Sequence, residues 1–470
     1  MPSPQIKLYN SLTRKLDSLP KRARGPLRIF VCGLTVYDTP HIGNIRTYLV
    51  FDAFAKYLRS RGIKVNYLQN ITDIDDKILQ RSRDEKTSWK IIAKRYTTQY
   101  KKVLKVLRID SIDTYAPATS YIKEIIEQIE DLIKKGYVYE IKGDGFYFNI
   151  TKFEDYGKLA GRTVAQAEDS MSRIDDGIAK RNKGDFCVWK LSTKPEPGWN
   201  TSLGYGRPGW HIEDTAIAFK FFGSQYEIHG GGIDLKFPHH EAEIALAEAF
   251  SGKKPYVKLW MHTGHLTVAN KKMSKSLKNF VTAEEFLEKY SGNIFRLMIL
   301  SHHYRSPLNY TEDSARNFQK AWWTVEDFFR KLDFVANTEE ETIAKDTFYA
   351  SELKVATTRF EQALAQDFNT PVALSEFYKL STWLQPRIWQ MSKKEARRWK
   401  KEVMTWFDLL GFKVESLKIP GEVKKMAEER EATRRIKEYV EADRIRNEMA
   451  ELGYRADDTP RGQYVGRLLD

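Results

Sequence analysis

Hydrophobic and polar positions change period several times along the chain. LRIFVCGLTVYD (27–38) is a mostly apolar, β-rich run that predicts a strand. PHIGNIRTYLVFDAFAKYLRSRG (40–62) opens on a turn, then places Tyr48, Phe51, Phe54 and Leu58 at helical spacing. Lys64 to Asn70 returns as a strand. Strand, helix and strand make a β-α-β unit, which predicts a parallel sheet with its crevice at the carboxyl ends of the strands. Further on, Ile122 to Lys135 reads as a helix and GDGFYFNI (143–150) as a strand. Gly161 to Gly209, rich in Gly, Pro and charge, reads as an insertion into the α/β fold. From about Asn309 the pattern becomes long amphipathic helices without a repeat, and Glu422 to Leu452 is highly charged and helical. An α/β half followed by an all-α half is the expected organisation.

Composition narrows the setting. A chain of 470 residues exceeds one hydrophobic core and implies about three or four domains. With 41% hydrophobic and 30% charged residues, disorder is not expected. No apolar run approaches the ~20 residues that span a bilayer, and MPSPQIKLYNSLTRKL lacks the apolar centre of a signal peptide. A cytoplasmic protein without membrane contact is expected. Two cysteines, Cys32 and Cys187, give no disulfide framework and suit a reducing compartment. Cys187 reads as a small buried hydrophobe. The net charge of +14 points to a polyanionic partner. The denser basic groups, at 21–28, 101–108 and 393–402, are each equally compatible with a solvated helix face.

Three short stretches carry candidate chemistry. In FPHHEAEIALAEA (237–249), His239 and Glu243 are four apart and share a helix face, a spacing that serves two metal ligands. The same stretch also fits a helix opened by Pro238, with glutamates at its positive end. HIGN (41–44) lies at a strand-to-helix turn, where free N–H groups and the helix dipole favour phosphate. There Gly43 permits close approach, and His41 and Asn44 add donors. KKMSKSLKNF (271–280) places Lys272 and Lys275 on a Ser-containing loop, suited to closing over polyphosphate or simply to a surface position.

Together with the β-α-β start, these stretches resemble the class I aminoacyl-tRNA synthetases, most closely the cysteinyl family. The resemblance runs in order through CGLTVYDTPHIGN (32–44), NITDIDDK (70–77), GRPGWHIE (206–213), HGGGIDLKFPHHEAE (229–243), KMSKSLKNF (272–280), DFNTP (367–371) and ADRIRNEM (442–449), essentially the whole chain. Asn44 stands where the class pattern has a second histidine. The resemblance implies one zinc ion held by Cys32, Asp214, His239 and Glu243, and Asp214 replaces the family's second cysteine. Aspartate ligates zinc at ~2.0–2.2 Å, but it exchanges a soft donor for a hard one. A weakly filled site, or one that accepts another divalent metal, is the alternative.

The resemblance further implies activation of L-cysteine with ATP and Mg²⁺ and transfer to tRNA(Cys). His41, Asn44, Lys272 and Lys275 would act on the phosphates, with Gly43 close by. Gly230, Gly231 and Gly232 would let the backbone approach the adenosine, and Asp234 would bind its ribose. Cys32, Thr72 and Trp210 would contact the amino acid. Arg444, Arg446 and Arg461 are candidate RNA contacts, with salt bridging to Glu438 or Glu441 as the alternative. The implied fold is a Rossmann-like parallel-sheet catalytic domain with an insertion, then a helical bundle and a small C-terminal anticodon-binding domain. The expected boundaries are 1–115 and 206–265 for the catalytic halves, 116–205 for the insertion, 266–310 for the KMSKS and stem-contact region, 311–410 for the bundle and 411–470 for the terminal domain. A monomer is expected. Rival functions are a cysteine ligase with an amino-sugar acceptor, a non-catalytic RNA-binding paralogue and a zinc peptidase, although HHEAE lacks the HExxH arrangement.

Overall fold

A computed structural model of the chain describes residues 4–21, 24–162, 166, 180–273, 279–338, 346–415 and 418–468. It divides into two compact units. One comprises Gln5–Glu288 with Tyr304–Asn309; the other comprises Met1–Pro4, Lys289–His303 and Tyr310–Asp470.

The first unit is built on a five-stranded sheet in the order Val257–Thr263, Tyr226–Gly232, Leu27–Val31, Val65–Ile71, Thr114–Pro117, all parallel. Leu27, Ile29, Phe30 and Val31 are buried, as expected for a central strand covered on both faces. Only this part of the apolar run 27–38 is strand, because the chain then turns sharply against its neighbour. A Cβ on Gly33 would stand 1.8 Å from the Asn70 carbonyl oxygen. The helix Ile42–Ser60 crosses over to Val65–Ile71, and Tyr48, Phe51, Phe54 and Leu58 are all buried.

From Leu27–Val31 the chain steps outward through Val65–Ile71 to Thr114–Pro117. It then returns on the opposite side with Tyr226–Gly232 and Val257–Thr263. The strand order therefore reverses between Leu27–Val31 and Tyr226–Gly232, and their carboxyl ends open a crevice there.

The insertion forms its own antiparallel sheet, ordered Val138–Ile141, Gly145–Phe148, Phe186–Leu191, Gly204–Pro208, Trp199–Thr201. Two expected boundaries move slightly. Thr114–Pro117 pairs with Val65–Ile71, so the parallel sheet runs past residue 115; the insertion sheet runs to Pro208 rather than 205. One apolar core, including Phe30, Leu68, Phe148, Trp189, Ala245 and Trp260, joins the two sheets.

The second unit is mainly helical, with Gly292–Leu300, Glu312–Asn337, Asp346–Ala365, Thr370–Leu384 and Lys393–Leu409. Thr311 with Ser314, and Ser392 with Glu395, form capping boxes that fix two of the helix starts. The charged tail folds as Gly421–Arg435 and Tyr439–Glu451, followed by an antiparallel hairpin, Tyr454–Thr459 with Gly462–Arg467. The second half is thus not wholly α. Asp327, 5% exposed, ties the hairpin to the long helix. It accepts both contacts of Arg455 at 2.9 Å and the Tyr464 hydroxyl at 2.8 Å, and pairs with Lys331 at 3.0 Å.

Two of the arginines named as candidate RNA contacts have partners within the protein. Arg461 is buried and donates to the carbonyls of Trp389 at 2.7 Å and Met391 at 2.6 Å. Arg444 is ion-paired with Glu441 and Glu448 on its own helix, while Arg446 is exposed. Among the described residues no helix is long and apolar enough to cross a membrane.

Candidate active site

A cavity of about 450 Å³ opens at the point where the strand order reverses. Its walls include Cys32, just beyond the first strand, Thr72 beyond the second, and Trp210 and Asp214 on the helix Trp210–Phe222. Gly232, Asp234 and His239 come from the segment that ends Tyr226–Gly232 and begins the helix His239–Ser251. His41, Gly43 and Asn44, at the start of the Ile42–Ser60 helix, complete the set. A larger cavity of about 610 Å³ in the second unit is bordered by Arg330, Lys400 and Tyr464, and among the described residues it gathers no comparable donor cluster.

The metal reading of HHEAE gains the partners it lacked. Cys32, Asp214, His239 and Glu243 bring four buried ligand atoms within 4.8 Å of one another. His239 Nε2 lies 3.0 Å from Asp214 Oδ2 and 3.1 Å from Glu243 Oε1. Glu243 Oε1 is 3.6 Å from Cys32 Sγ, and Asn70 Nδ2 donates to Asp214 Oδ1. Burial, followed by the charges of Glu243 and Asp214, pushes the Cys32 thiol well above its ordinary range, and burial then Asp214 raises the Glu243 carboxyl. No hydrogen bond reaches Glu243 Oε2. Three acidic groups crowded out of water are costly to ionise together, and a divalent ion held between them offsets that cost. The donor set of one thiolate, one imidazole and two carboxylates therefore fits a metal.

Histidines surround this cluster. Five of the chain's nine, His211, His229, His239, His240 and His262, form one connected group. Trp210 stacks on His239 with centroids 4.2 Å apart, and His211 Nδ1 sits 2.8 Å from His239 Nδ1. Burial pushes His211, His229 and His240 well below the usual imidazole value and His262 to about 3, so these rings are neutral. Sequence reasoning singled out only His239 from this group. The available signal was that His211 and His240 fall at helix starts and His262 near a strand end, while His229 lies mid-strand with no such mark.

His41 is the N-cap of its helix, and this changes the expected phosphate geometry. Its Nδ1 accepts from Gly43 N at 3.1 Å and Asn44 N at 3.2 Å, while Asn44 Oδ1 accepts from His41 N at 3.4 Å. The first N–H groups of the helix are thus already used. With Nδ1 accepting, the ring proton belongs on Nε2, and burial lowers the His41 pKa to about 4 although Asp234 opposes the shift. The ring is a neutral donor near pH 7. Phe280 packs edge-on against it at 5.1 Å, and the backbone of Thr282 bridges to His41. Both described flanks of the KMSKS stretch, Met273 and Phe280, therefore border the HIGN turn. Lys272 lies on the short strand Lys271–Lys272; Lys275 lies outside the described residues.

Gly230 and Gly231 are not on the cavity wall, and their small size answers to packing. A Cβ would meet the Phe51 ring at 2.1 Å from Gly230 and the His240 ring at 2.7 Å from Gly231. Lys77, Tyr37 and Tyr48 do line the cavity without having been singled out from sequence. Cys187 sits in the insertion sheet and is half-buried rather than fully buried; desolvation nevertheless pushes its thiol up to about 12, in keeping with an unreactive thiol.

Comparison with known proteins agrees with this geometry. Residues 19–320 match the model of the tRNA synthetases class I (C) catalytic domain, and residues 359–415 match the DALR domain. The DALR match falls mostly within the expected helical bundle rather than on the terminal segment from 411. A cysteine–tRNA ligase of Persephonella marina is 37% identical over 97% of this chain and 98% of its own length. One from Thermococcus onnurineus is 37% identical over 98% and 99% respectively. Among solved structures, a Mycobacterium tuberculosis methionyl-tRNA synthetase bound to methionyl-adenylate has a TM-score of 0.59 at 14% identity, covering 82% of this chain and 90% of that one. An Agrobacterium radiobacter LeuRS in a ternary complex with tRNA has a TM-score of 0.58 at 10% identity, covering 84% and 86%. These two share the fold.

Proposed function

The chain belongs to the cysteine–tRNA ligase family of class I aminoacyl-tRNA synthetases, and from that premise we propose how its cavity works. The enzyme activates L-cysteine with ATP and transfers it to tRNA. The cysteine carboxylate attacks the α-phosphorus, a new P–O bond forms, and pyrophosphate leaves with the electrons of the bond that breaks. A terminal ribose hydroxyl of the tRNA then attacks the acyl carbon, and AMP departs. ATP enters as its Mg²⁺ complex.

No enzyme nucleophile is needed, so the residues act by positioning and by stabilising charge. In this reading His41 donates from Nε2 to a phosphate oxygen, while Asn44 holds the turn in shape. Lys272 and Lys275 add positive charge over the polyphosphate. Gly232 and Asp234 receive the adenosine, with Asp234 on the ribose hydroxyls. Thr72 and Trp210 enclose the amino acid. Cys32, Asp214, His239 and Glu243 would hold a zinc ion, which supplies a contact for the substrate sulfur as thiolate that a serine hydroxyl does not match. Cavity fit alone discriminates by only ~1–3 kcal/mol for so small a change.

The observation that carries the proposal is that the buried cysteine–histidine–carboxylate cluster reaches the same cavity as the His41 helix start at the sheet's switch point. Cysteine-dependent exchange of pyrophosphate into ATP tests it directly. Asp214→Ala is expected to raise the KM for cysteine with little change in KM for ATP. Equal activation of serine by the wild type, or an unchanged cysteine KM in the variant, would remove Asp214 from the pocket's chemistry. Charging of tRNA compared with an amino-sugar acceptor separates this reading from that of a small-molecule cysteine ligase.

A further inference from the structure

We propose that the metal centre has a second, inner position completed by His229 and His240, which shares Cys32 and Glu243 with the outer set. The proposal rests on the reading of the outer set as a metal site. Four ligand atoms, one each from Cys32, His229, His240 and Glu243, lie within 4.8 Å of one another. A tetrahedral zinc ion with bonds of ~2.0–2.3 Å sets its ligand atoms about 3.3–3.7 Å apart. Cys32 Sγ is 3.2 Å from His229 Nε2, 3.2 Å from His240 Nε2 and 3.6 Å from Glu243 Oε1.

Both imidazoles are held in the orientation this requires. A ligating histidine engages a partner through its other ring nitrogen. His229 Nδ1 is 2.5 Å from the Tyr226 hydroxyl; His240 Nδ1 is 2.8 Å from His262 Nε2, whose own Nδ1 is 2.8 Å from Ser11 Oγ. Trp260 stacks on the His229 ring at 4.5 Å. Each Nε2 is thereby left facing the sulfur.

The two positions differ in charge and access. The inner donors, one thiolate, one carboxylate and two neutral imidazoles, balance a divalent ion; the outer donors carry one negative charge more. Balance matters in a site with no exposed surface, and His229, His240 and Glu243 are all 0% exposed. Asp214 and His239 border the cavity, whereas His229 and His240 do not. A metal at the inner position is therefore closed to the substrate thiol. Because Cys32 and Glu243 serve both sets, the positions are alternatives, and loss of Asp214 relocates the ion without releasing it.

Metal-free protein loaded with Co²⁺ alone tests this, with affinity read by chelator competition and imidazole ligands counted by X-ray absorption. Asp214→Ala is expected to keep one Co²⁺ with two imidazoles and one sulfur, and its spectrum should not change when cysteine is added. Adding His240→Ala or His229→Ala should lower affinity by a further tenfold or more, about 10–100-fold. Loss of Co²⁺ by Asp214→Ala itself, a single imidazole in its bound form, or no further effect of the second substitution would overturn the proposal. If the double variants do not fold, the imidazole count in Asp214→Ala decides alone. Wild-type cysteine-dependent pyrophosphate exchange is measured in parallel. Its absence would refute the functional reading, whereas the Co²⁺ measurements judge the inner position.

Discussion

Replacing His41 separates a structural role from a chemical one, because its ring nitrogens have different duties. Nδ1 accepts from two backbone N–H groups at the start of a helix with 14 buried residues. His41→Ala removes that cap at about 0.5–2 kcal/mol and an edge-on contact with Phe280 at about 0.5–1.5 kcal/mol. Because the helix is so deeply buried, water cannot readily replace the cap, and a total of about 2–3 kcal/mol is expected. At about 2–4 °C per kcal/mol for a large domain, the melting temperature should fall by about 4–12 °C. The adenylation rate should fall by about 10²–10³, the usual loss when one preorganised donor to developing charge is removed. His41→Asn restores the cap but offers no donor in the Nε2 position, so it should recover most of the stability and little of the rate. Differential scanning calorimetry and pyrophosphate exchange read the two effects separately. If His41→Asn recovered both, His41 would be a helix cap alone; if His41→Ala melted like the wild type, the capping geometry would carry no weight. The pH dependence follows the same residue. Its folded pKa of about 4 lies below the ordinary 6.5, so the unfolded chain binds the proton first. The stability His41 contributes is full above about pH 6.5 and is lost as pH falls toward 4. His41→Asn removes that limb.

On the proposed role, in which its charge meets the phosphates most strongly in the transition state, Lys275→Ala is expected to slow adenylation by about 10²–10³ while leaving ATP affinity nearly unchanged; an equal loss in ground-state ATP binding contradicts this. Truncation after about residue 410 should leave cysteine activation largely intact, because all the cavity residues belong to the unit that ends at Glu288 and Asn309. Charging of tRNA should weaken and lose anticodon dependence, and normal charging by the soluble truncated protein would show the domain assignment to be wrong. Asp327→Ala leaves Arg455, Lys331 and the Tyr464 hydroxyl without their shared acceptor and should cost about 3–5 kcal/mol in chemical denaturation; a change below about 1 kcal/mol would mean that water takes its place.

The β-α-β start and the long helices were legible because each has a strong single period. The helix predicted over 40–62 forms as Ile42–Ser60, and the strand predicted over 64–70 as Val65–Ile71. The failures have local causes. The run 27–38 looks strand-like throughout, yet Gly33 must pass beside Asn70, so the strand ends at Val31. The terminal hairpin was hidden because its buried residues, Ala456 and Tyr464, are few and its stability comes from Asp327 and other distant partners. The expected end of the insertion falls three residues short because Gly204–Pro208 is held in the insertion sheet by pairing with Phe186–Leu191, a contact that local sequence does not show.

The active site was legible to the extent that its chemistry lies in contiguous text. His239 and Glu243 announce themselves at helical spacing, and HIGN at a strand-to-helix turn. What spacing could not show is the use each group makes of its neighbours. The N–H groups of Gly43 and Asn44, free in a generic helix start, are taken by His41 itself, so the donor the turn offers to the cavity is a side-chain N–H rather than the backbone. In the same way, His229 and His240 are ordinary residues in sequence, 197 and 208 positions from Cys32, and become its nearest nitrogen neighbours only because the strand order reverses beside it. The reversal that opens the crevice also packs imidazoles behind the donor cluster. Asp214 therefore stands in a cluster where two further nitrogen donors lie 3.2 Å from the Cys32 sulfur, and although His229 and His240 fall within HGGGIDLKFPHHEAE, nothing in their spacing shows that they meet Cys32.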